Sequence, residues 1–377
     1  MRRSNGVGFT PKPIATECTY ANDVEPNLGH SQHTMTHTTR WQSPSLPPRR
    51  ASFAILALFL LAGCSSTPRS ALGKWEGPQL LSNSSLEPWS FRGETARRIK
   101  SDHYVIYTTI NDDDTLLLLP QVMEGALAQY RKVAPGTSHS DSPMECYVFE
   151  RRLEWEAFTK ANTGPDAGIY LQIRRGGYAI RDKYVAYYIG RYATASVAAH
   201  EGWHQYVARH FIGRLPPFVE EGLACMFEGI GWQGETLPRW NLSINQVRVQ
   251  ALRKATEANK LWPLEKIVAM HAGEVVEENG EKVDAFYAQA WVFAKFLYES
   301  ENGRFRPNLQ KWLAETANGT VFDPTKTHTR AGGPWNRTAV KPMLEHYLNM
   351  DFATIDKLYQ AYLRKVAFDE YSAQWNS

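Results

Sequence analysis

The stretch His200-Glu201-Gly202-Trp203-His204 is an H-E-x-x-H motif. Residues four apart on an α-helix differ by about 40° around the helix axis, so both imidazoles project from one face and can bind a single metal ion. Glu201 follows the first histidine and can reach a metal-bound water as its base. Because two histidines, one further protein ligand and a water make up a catalytic zinc site, the motif predicts one Zn²⁺ per chain.

The residues around the motif favour a helix. Small or apolar residues precede it over 194–199, and residues 205–209 follow it without a proline. Thr194 or Ser196 is expected to cap this helix, because a short hydroxyl side chain can accept a hydrogen bond from a free backbone N–H group. The alternative is a core helix whose two histidines form ordinary hydrogen bonds and bind no metal.

The third ligand has two candidates. One is a carboxylate of the segment 218–224, and the other is His210, ten residues after His200. In the metzincin pattern a histidine at that distance follows a glycine that turns the chain, but this chain has Val207 at the glycine position. A continuing helix carries His210 away from the face of the other histidines, and a β-branched residue disfavours the positive φ of a sharp turn. The residues therefore favour the carboxylate.

Together with this downstream segment, the motif resembles the gluzincin pattern of zinc metallopeptidases, a clan that includes thermolysin and the zinc aminopeptidases. The segment reads Phe218-Val219-Glu220-Glu221-Gly222-Leu223-Ala224, whereas aminopeptidase-like members have roughly W-L-x-E-G-[LF]-A. Their glutamate before the glycine is the third zinc ligand. The resemblance implies Glu221 as the third ligand beside His200 and His204, with Glu220 as a neighbour that either supports the ligands or is exposed.

The resemblance extends from Thr194 to Phe227 and implies a zincin-like enzyme that hydrolyses peptide bonds. Glu201 would deprotonate the zinc-bound water and later protonate the leaving amine. Relatives often carry a Tyr-x-Gln-[Ser/Ala] element on a later helix, and this chain has Tyr287-Ala288-Gln289-Ala290. Tyr287 is then a candidate catalytic residue that stabilises an oxyanion. The alternative is that Tyr287 is only packed in an amphipathic core helix.

The N-terminal region resembles the signal sequence of a bacterial lipoprotein. Arg49-Arg50 precede the apolar run 51–62, which is shorter than the about twenty residues that a membrane-spanning helix needs. The run ends in Leu61-Ala62-Gly63-Cys64, which is similar to a lipobox, so Cys64 is expected to be lipid-modified. A plain signal peptide or an uncleaved anchor is the alternative. The interpretation predicts a lipid-anchored protein of the cell envelope, at the outer membrane and facing the periplasm or the exterior.

Charge and cysteine content limit the partners. The formal net charge of +3 over 377 residues is close to balance, which argues against nucleic acid as the main partner. The expected partners are a peptide or protein substrate and the membrane, through Cys64. Once the leader is set aside, Cys146 and Cys225 remain, and an oxidising periplasm permits a disulfide between them. The sequence does not decide whether it forms.

Hydrophobic periodicity and turn residues predict an α+β protein. Residues 1–63 are expected to be a disordered leader plus signal peptide, 64–95 a tether, 96–235 a zincin-like catalytic domain with a small mixed sheet, and 236–377 a mainly helical lobe. Strands are expected at 103–109, 146–149, 169–173 and 178–189. Helices are expected at 116–133, 152–160, 244–258, 263–271, 283–299, 308–317, 340–348 and 353–366. Pro120 must then lie in the first turn of its helix.

Two functional classes remain open beside a membrane-anchored zinc peptidase. One is a non-catalytic zinc-binding envelope lipoprotein, although a scaffold of this kind has no need of the base Glu201. The other is a helical binding module whose H-E-x-x-H motif is accidental. The sequence contains no clear element that binds a free amine, so it does not separate an endopeptidase from an aminopeptidase.

Overall fold

Six strands form one mixed sheet. They are β1 (Ser85–Phe91), β2 (Glu94–Lys100), β3 (Tyr104–Thr108), β4 (Met144–Phe149), β5 (Gly177–Ile180) and β6 (Lys183–Tyr187). The computed structural model describes residues 84–137, 142–180, 182–233, 237–270, 272–275, 280–324 and 336–368. Cys64 and the predicted leader and signal peptide lie outside the described residues.

The strands lie in the order β1-β2-β3-β4-β6-β5. β3, β4 and β6 are parallel to one another, whereas β1, β2 and β5 are antiparallel to the strands beside them. In β3 the buried residues Tyr104, Ile106 and Thr108 alternate with partly exposed ones, because successive side chains of a strand point to opposite faces. β5 is an edge strand that pairs with β6 only.

Helices make up most of the remaining structure. They are α1 (Asp113–Val133), α2 (Arg152–Thr163), α3 (Ala167–Tyr170), α4 (Arg191–His210), α5 (Pro217–Phe227), α6 (Gln246–Glu257), α7 (Leu264–Ile267), α8 (Ala272–Val275), α9 (Gly280–Gly303), α10 (Arg306–Ala317), α11 (Val340–Leu348) and α12 (Phe352–Phe368). A second, two-stranded sheet contains β7 (Ile230–Gln233) and β8 (Leu237–Trp240). The predicted α+β class is confirmed. Among the described residues, no helix has both the length and the apolar character needed to span a bilayer.

The helix that carries the motif, α4, packs against α1 and against strands β5 and β6. The glycine of the motif allows this close approach, since a Cβ atom at Gly202 would stand 2.6 Å from the hydroxyl oxygen of Tyr130 on α1. That hydroxyl donates a hydrogen bond to the carbonyl oxygen of Ala199 at 2.5 Å. Helix packing therefore explains why a glycine directly follows Glu201, at a position that the motif itself leaves variable.

One hydrophobic core runs from Ile99 on β2 to Ala367 on α12. A smaller cluster, which includes Phe149 and Trp155, lies between β4, α2 and their neighbours. The described residues all belong to one compact unit. The boundary predicted at position 235 therefore lies within a shared core, because α5 packs along α9.

The strand predicted at 169–173 is wrong. These residues form the end of α3 and the turn after it, and the hairpin directly before α4 consists of β5 and β6. The guanidinium of Arg152 donates hydrogen bonds to the carbonyl oxygens of Leu171, Ile173 and Arg174. Because a side chain satisfies these backbone acceptors, the segment has no need of a strand partner.

Two helix starts also differ from the prediction. α1 begins at Asp113, where Asp112 accepts a hydrogen bond from the backbone N–H of Thr115 at 3.2 Å, so Pro120 lies inside the helix rather than in its first turn. α4 begins after Gly190 without a side-chain cap. Thr194 instead accepts a hydrogen bond from the backbone N–H of Ile189 at 3.0 Å, so neither it nor Ser196 is the cap.

Part of the segment predicted to be a tether forms strands. β1 and the first two residues of β2 fall within 64–95. β1 is an edge strand with no fully buried residue, and its Leu86 is 48% exposed. An edge strand that buries so little gives only a weak alternation in the sequence.

Candidate metal centre

The three predicted ligands converge between α4 and α5. His200 Nε2 and His204 Nε2 lie 3.4 Å apart, and each lies 3.4 Å from Oε2 of Glu221. All three side chains are buried. Neither oxygen of Glu221 has a hydrogen-bond partner within the described part of the chain. The three ligand atoms thus face one another, and they are close enough to hold one metal ion.

The spacing of these three atoms suits a small ion with tetrahedral ligands. An ion about 2.1 Å from each ligand keeps tetrahedral ligands about 3.4 Å apart, whereas the octahedral geometry that Mg²⁺ requires brings neighbours to about 3.0 Å. Calcium and magnesium also prefer sites made of oxygen atoms, but two of these three donors are imidazole nitrogens. The residues therefore fit a transition-metal dication.

A further carboxylate contacts Nδ1 of each imidazole, the ring nitrogen that does not face Glu221. Nδ1 of His200 lies 2.8 Å from Oε1 of Glu228, and Nδ1 of His204 lies 2.9 Å from Oε1 of Glu220. An ionised carboxylate can only accept, so each Nδ1 carries a hydrogen and Nε2 is the nitrogen that each ring directs toward the shared point. Glu220 is therefore a buried support of the centre and not an exposed neighbour.

Glu228 directly follows α5 and is itself held by two residues from the start of α6. Arg248 donates from Nε to Oε2 at 2.9 Å and from Nη2 to Oε1 at 2.7 Å, and Asn245 Nδ2 donates to Oε2 at 2.7 Å. Burial alone would raise the pKa of Glu228, but Arg248 and His200 lower it well below its usual range. Glu228 therefore remains an ionised acceptor for His200.

The centre requires positive charge. Burial alone would raise the pKa of Glu221, but His204 and His200 lower it to about 2. Burial alone would lower the pKa of His204, but Glu221 and Glu220 raise it to about 10. Both shifts arise from the attraction between buried carboxylates and imidazoles that lie close together away from water. A proton on His204 supplies the positive charge, and a bound cation would supply it in place of that proton.

Glu201 lies beside the ligands and is completely buried. Neither of its carboxylate oxygens has a well-formed hydrogen bond to any described residue. Burial raises its pKa to about 7, with a smaller increase from Glu221, although His200 and His204 oppose this shift. A buried carboxylate whose hydrogen bonds are this poor lowers stability, so it is more typical of a functional site than of a structural one. A pKa near neutrality also suits a proton acceptor.

Tyr287 is buried on α9 beside the centre. Its ring centroid lies 6.4 Å from that of His200, and the guanidinium carbon of Arg248 lies 5.1 Å from the tyrosine ring centroid, over its face. The glutamine of the same element has a structural role. Gln289 accepts a hydrogen bond from the backbone N–H of Trp262 at 2.8 Å and donates one to its carbonyl oxygen at 2.9 Å. Gln289 therefore attaches the segment before α7 to α9.

His210 lies apart from the three converging residues. It is the last residue of α4, which continues without a break through Val207, and its ring centroid lies 4.5 Å from that of Tyr206. No group of potential metal ligands in the described part of the chain includes His210. The preference for a carboxylate from α5 is therefore consistent with where these side chains lie.

The two cysteines of the described residues, Cys146 and Cys225, are buried and free, so the disulfide that the sequence left open is not formed. Cys225, His200 and Glu228 also lie close enough together to hold an ion. Arg248 already neutralises the carboxylate of this second group. Burial further raises the pKa of the Cys225 thiol, which disfavours its role as a ligand.

The edge strand β5 is attached to the motif helix. Gln205, the residue after His204, donates hydrogen bonds from Nε2 to the carbonyl oxygens of Glu145 at 2.8 Å and Asp182 at 2.7 Å. These bonds join α4 to β4 and to the turn between β5 and β6. The backbone of Ala179 on β5 is close enough to Glu201 to lower the pKa of this carboxylate slightly. β5 therefore passes beside the centre.

No protein-family model matches this chain, and no curated protein matches its sequence. The geometry of the centre therefore carries the functional argument.

Sequence reasoning missed three residues of the centre, namely Glu228, Arg248 and Asn245. The position of Glu228 could have been predicted from the sequence. It follows Glu221 by seven residues, about two helical turns, so a continuing helix places both on the same face. It is also a charged residue at the end of an apolar run, where only a paired carboxylate can be buried. Arg248 and Asn245 had no such signal, since they belong to a different helix.

Proposed function

We propose that this protein is a zinc-dependent peptidase of the gluzincin type. The observation that carries the proposal is the triangle of His200 Nε2, His204 Nε2 and Glu221 Oε2, each 3.4 Å from the others, with the buried Glu201 beside it. Two histidines and one glutamate are the ligand set of catalytic zinc in thermolysin-like peptidases. Zinc also suits this mixture of nitrogen and oxygen donors better than magnesium or calcium.

The proposed mechanism assigns a task to each buried polar residue. When bound, zinc supplies a Lewis acid that polarises the scissile carbonyl and makes a water molecule more acidic. Glu201 accepts the proton of the attacking water and passes it to the leaving amine. Glu220 and Glu228 keep the imidazoles in the tautomer that binds a metal. Tyr287 donates a hydrogen bond to the developing oxyanion.

An extended peptide is the substrate that best suits the surroundings of the centre. β5 is an edge strand next to Glu201, and an edge strand can form a ladder of backbone hydrogen bonds with an added chain. Such pairing would place one peptide bond beside the metal ligands. We further propose that a lipid at Cys64 attaches the enzyme to the bacterial cell envelope. The outer membrane is the proposed location, because the neutral Ser65 after the cysteine gives no signal for retention at the inner membrane.

One observation favours a second candidate, a non-catalytic zinc-binding envelope lipoprotein. The ligands are nearly inaccessible, with exposed fractions of 0% for His200, 4% for His204 and 1% for Glu221, and structural zinc sites are typically closed. Against this candidate stands Glu201, because a structural site gains nothing from a buried carboxylate that has no well-formed hydrogen bond to any described residue.

The test is a peptide-library cleavage assay on the purified protein, with the metal content of the same sample measured by mass spectrometry. One zinc ion per chain together with cleavage supports the peptidase. Zinc without cleavage of any library peptide supports the second candidate. Purified protein that neither contains zinc nor takes it up contradicts both.

A further inference from the structure

We infer that Arg248 is a positioning residue that holds His200 and Tyr287 in one fixed arrangement at the metal centre. The inference rests on the proposed function, because it assigns both residues a task there. It goes beyond the ligand set and the base, since Arg248 contacts neither the converging donor atoms nor Glu201 in the described hydrogen bonds and ion pairs. Three observations support it.

The first observation concerns His200. Arg248 binds Glu228 through two nitrogen atoms, from Nε to Oε2 at 2.9 Å and from Nη2 to Oε1 at 2.7 Å. Oε1 of the same carboxylate receives Nδ1 of His200 at 2.8 Å. Two parallel hydrogen bonds restrict the rotation of the Glu228 carboxylate. The planar guanidinium of Arg248 therefore fixes the position of Oε1, and Oε1 orients the ring of His200.

The second observation concerns Tyr287. The same guanidinium lies over the tyrosine ring, with its carbon 5.1 Å from the ring centroid, and that ring makes a T-shaped contact with the ring of His200. A cation over an aromatic face is attracted by the electron density of the ring. Arg248 therefore contacts the ring of Tyr287 and the carboxylate of Glu228 at once, and a displacement of its planar group would move both.

The third observation is that Arg248 is buried in a segment that is hydrogen-bonded to α5. It is buried in the first turn of α6, and its backbone N–H donates to Oδ1 of Asn245 at 3.1 Å, which caps the helix. Asn245 Nδ2 in turn donates to Glu228 at 2.7 Å and to the carbonyl oxygen of Cys225 at 2.9 Å. The start of α6 is thus hydrogen-bonded to the end of α5, and α5 is the helix that contains Glu221.

The discriminating variant is Arg248→Lys, which keeps the charge but loses the planar group that binds two oxygens and covers a ring. We expect the Kd for zinc, measured by competition with a chelator, to rise by about 10- to 100-fold. The visible spectrum of the Co²⁺-substituted protein should also change, because it reports the orientation of the ligands. With a cleavable peptide, kcat should fall more than KM rises, since Tyr287 is proposed to act on the transition state.

The matched control is Arg253→Lys on the same helix, where an exposed arginine pairs with Glu257. It should leave the zinc Kd and the Co²⁺ spectrum unchanged. If Arg248→Lys lowers the thermal stability but leaves both readouts at wild-type values, Arg248 only stabilises α6 and the inference is wrong. Neither readout needs a substrate, so a wild type that binds zinc but cleaves no peptide still tests Arg248. A wild type that binds no zinc overturns both proposals.

A second variant covers the case in which Arg248→Lys does not fold. The double substitution Arg248→Met with Glu228→Gln removes both buried charges, so neither is left unpaired. The amide introduced at position 228 would retain an oxygen that can accept from Nδ1 of His200, but that oxygen would no longer be held in place. We expect this protein to fold and to bind zinc more weakly than the wild type. A wild-type zinc Kd in the double variant would contradict a positioning role for Arg248.

Discussion

Glu220 accepts a hydrogen bond from Nδ1 of His204 at 2.9 Å, while its chain neighbour Glu221 faces Nε2 of the same ring at 3.4 Å. Two consecutive glutamates therefore contact opposite sides of one imidazole. The hydrogen-bonded side fixes the tautomer, and the other side remains available to an ion. The pair Glu-Glu before Gly222 thus combines an orienting residue and a proposed ligand.

The first prediction separates these roles. Glu221→Ala should remove zinc from the purified protein, because an ion bound by two histidines alone is held weakly. His210→Ala should retain one zinc per chain, since His210 lies against Tyr206 and outside the converging group. Mass spectrometry of the metal content measures both. Retention of zinc in the first variant and its loss in the second would indicate a metzincin-like site.

The second prediction concerns the chemistry. Glu201→Gln preserves the size of the side chain but removes the base. Zinc content and Tm should stay near wild type, because the carboxylate is not one of the converging donors. Hydrolysis of any peptide found in the library assay should fall by roughly 10²- to 10⁴-fold, the usual contribution of general acid–base catalysis. Unchanged cleavage would place the activity elsewhere in the protein.

The third prediction is that zinc uptake depends on pH. Glu221 and Glu220 raise the pKa of His204 to about 10, so this ring is protonated at neutral pH and zinc must displace the proton. Competition by protons weakens as the pH rises toward that pKa. The apparent Kd should therefore fall by about tenfold per pH unit between about pH 6 and pH 8. Titrations in chelator-buffered zinc measure this slope, and a flat profile would show that His204 is already neutral.

The fourth prediction concerns the glycine after the proposed third ligand. A Cβ atom at Gly222 would overlap the carbonyl oxygen of Ala290 on α9. Gly222→Ala should therefore lower the free energy of unfolding by about 1–3 kcal/mol and weaken zinc binding, because α5 must shift. The matched control is Gly168→Ala on α3, where no atom lies within 4 Å of the added Cβ. Equal stability of the two variants would contradict the proposed close contact.

The fifth prediction concerns the anchor. Cys64→Ser should abolish lipid attachment and the accompanying processing of the precursor, since only the cysteine thiol can be lipid-modified. Labelling with a radioactive fatty acid and partitioning into detergent measure the effect. A variant that still partitions into detergent would mean that the apolar run at 51–62 is an uncleaved anchor.

Local chemistry made much of the centre predictable. The spacing of His200 and His204 places them on one helical face, and the structure brings Glu221 to the same point. The long helices with strong apolar periodicity were also predictable, and α11 has the bounds expected from the sequence. Periodicity over several turns is the strongest signal that a single sequence contains.

The features that the sequence did not predict depend on contacts between distant segments. Arg152 determines that residues 171–174 form a turn, and it does so through carbonyl groups that no local pattern identifies. α4 begins at Arg191, directly after Gly190 and without a side-chain cap. Its start therefore did not coincide with Thr194 or Ser196. The network of Glu228, Asn245 and Arg248 likewise joins α5 to α6, and tertiary contacts of this kind override local propensity.

The connection between α5 and α6 has a consequence for how the protein matures. Every proposed ligand is present once α4 and α5 have been synthesised, and Glu228 follows directly. Arg248 and Asn245, which hold Glu228, arrive later with α6. A chain cut after Glu228 would contain all the proposed metal ligands and still lack Arg248, Asn245 and Tyr287. We therefore expect the proposed zinc ion to bind tightly only late in biogenesis, once the C-terminal helices have docked.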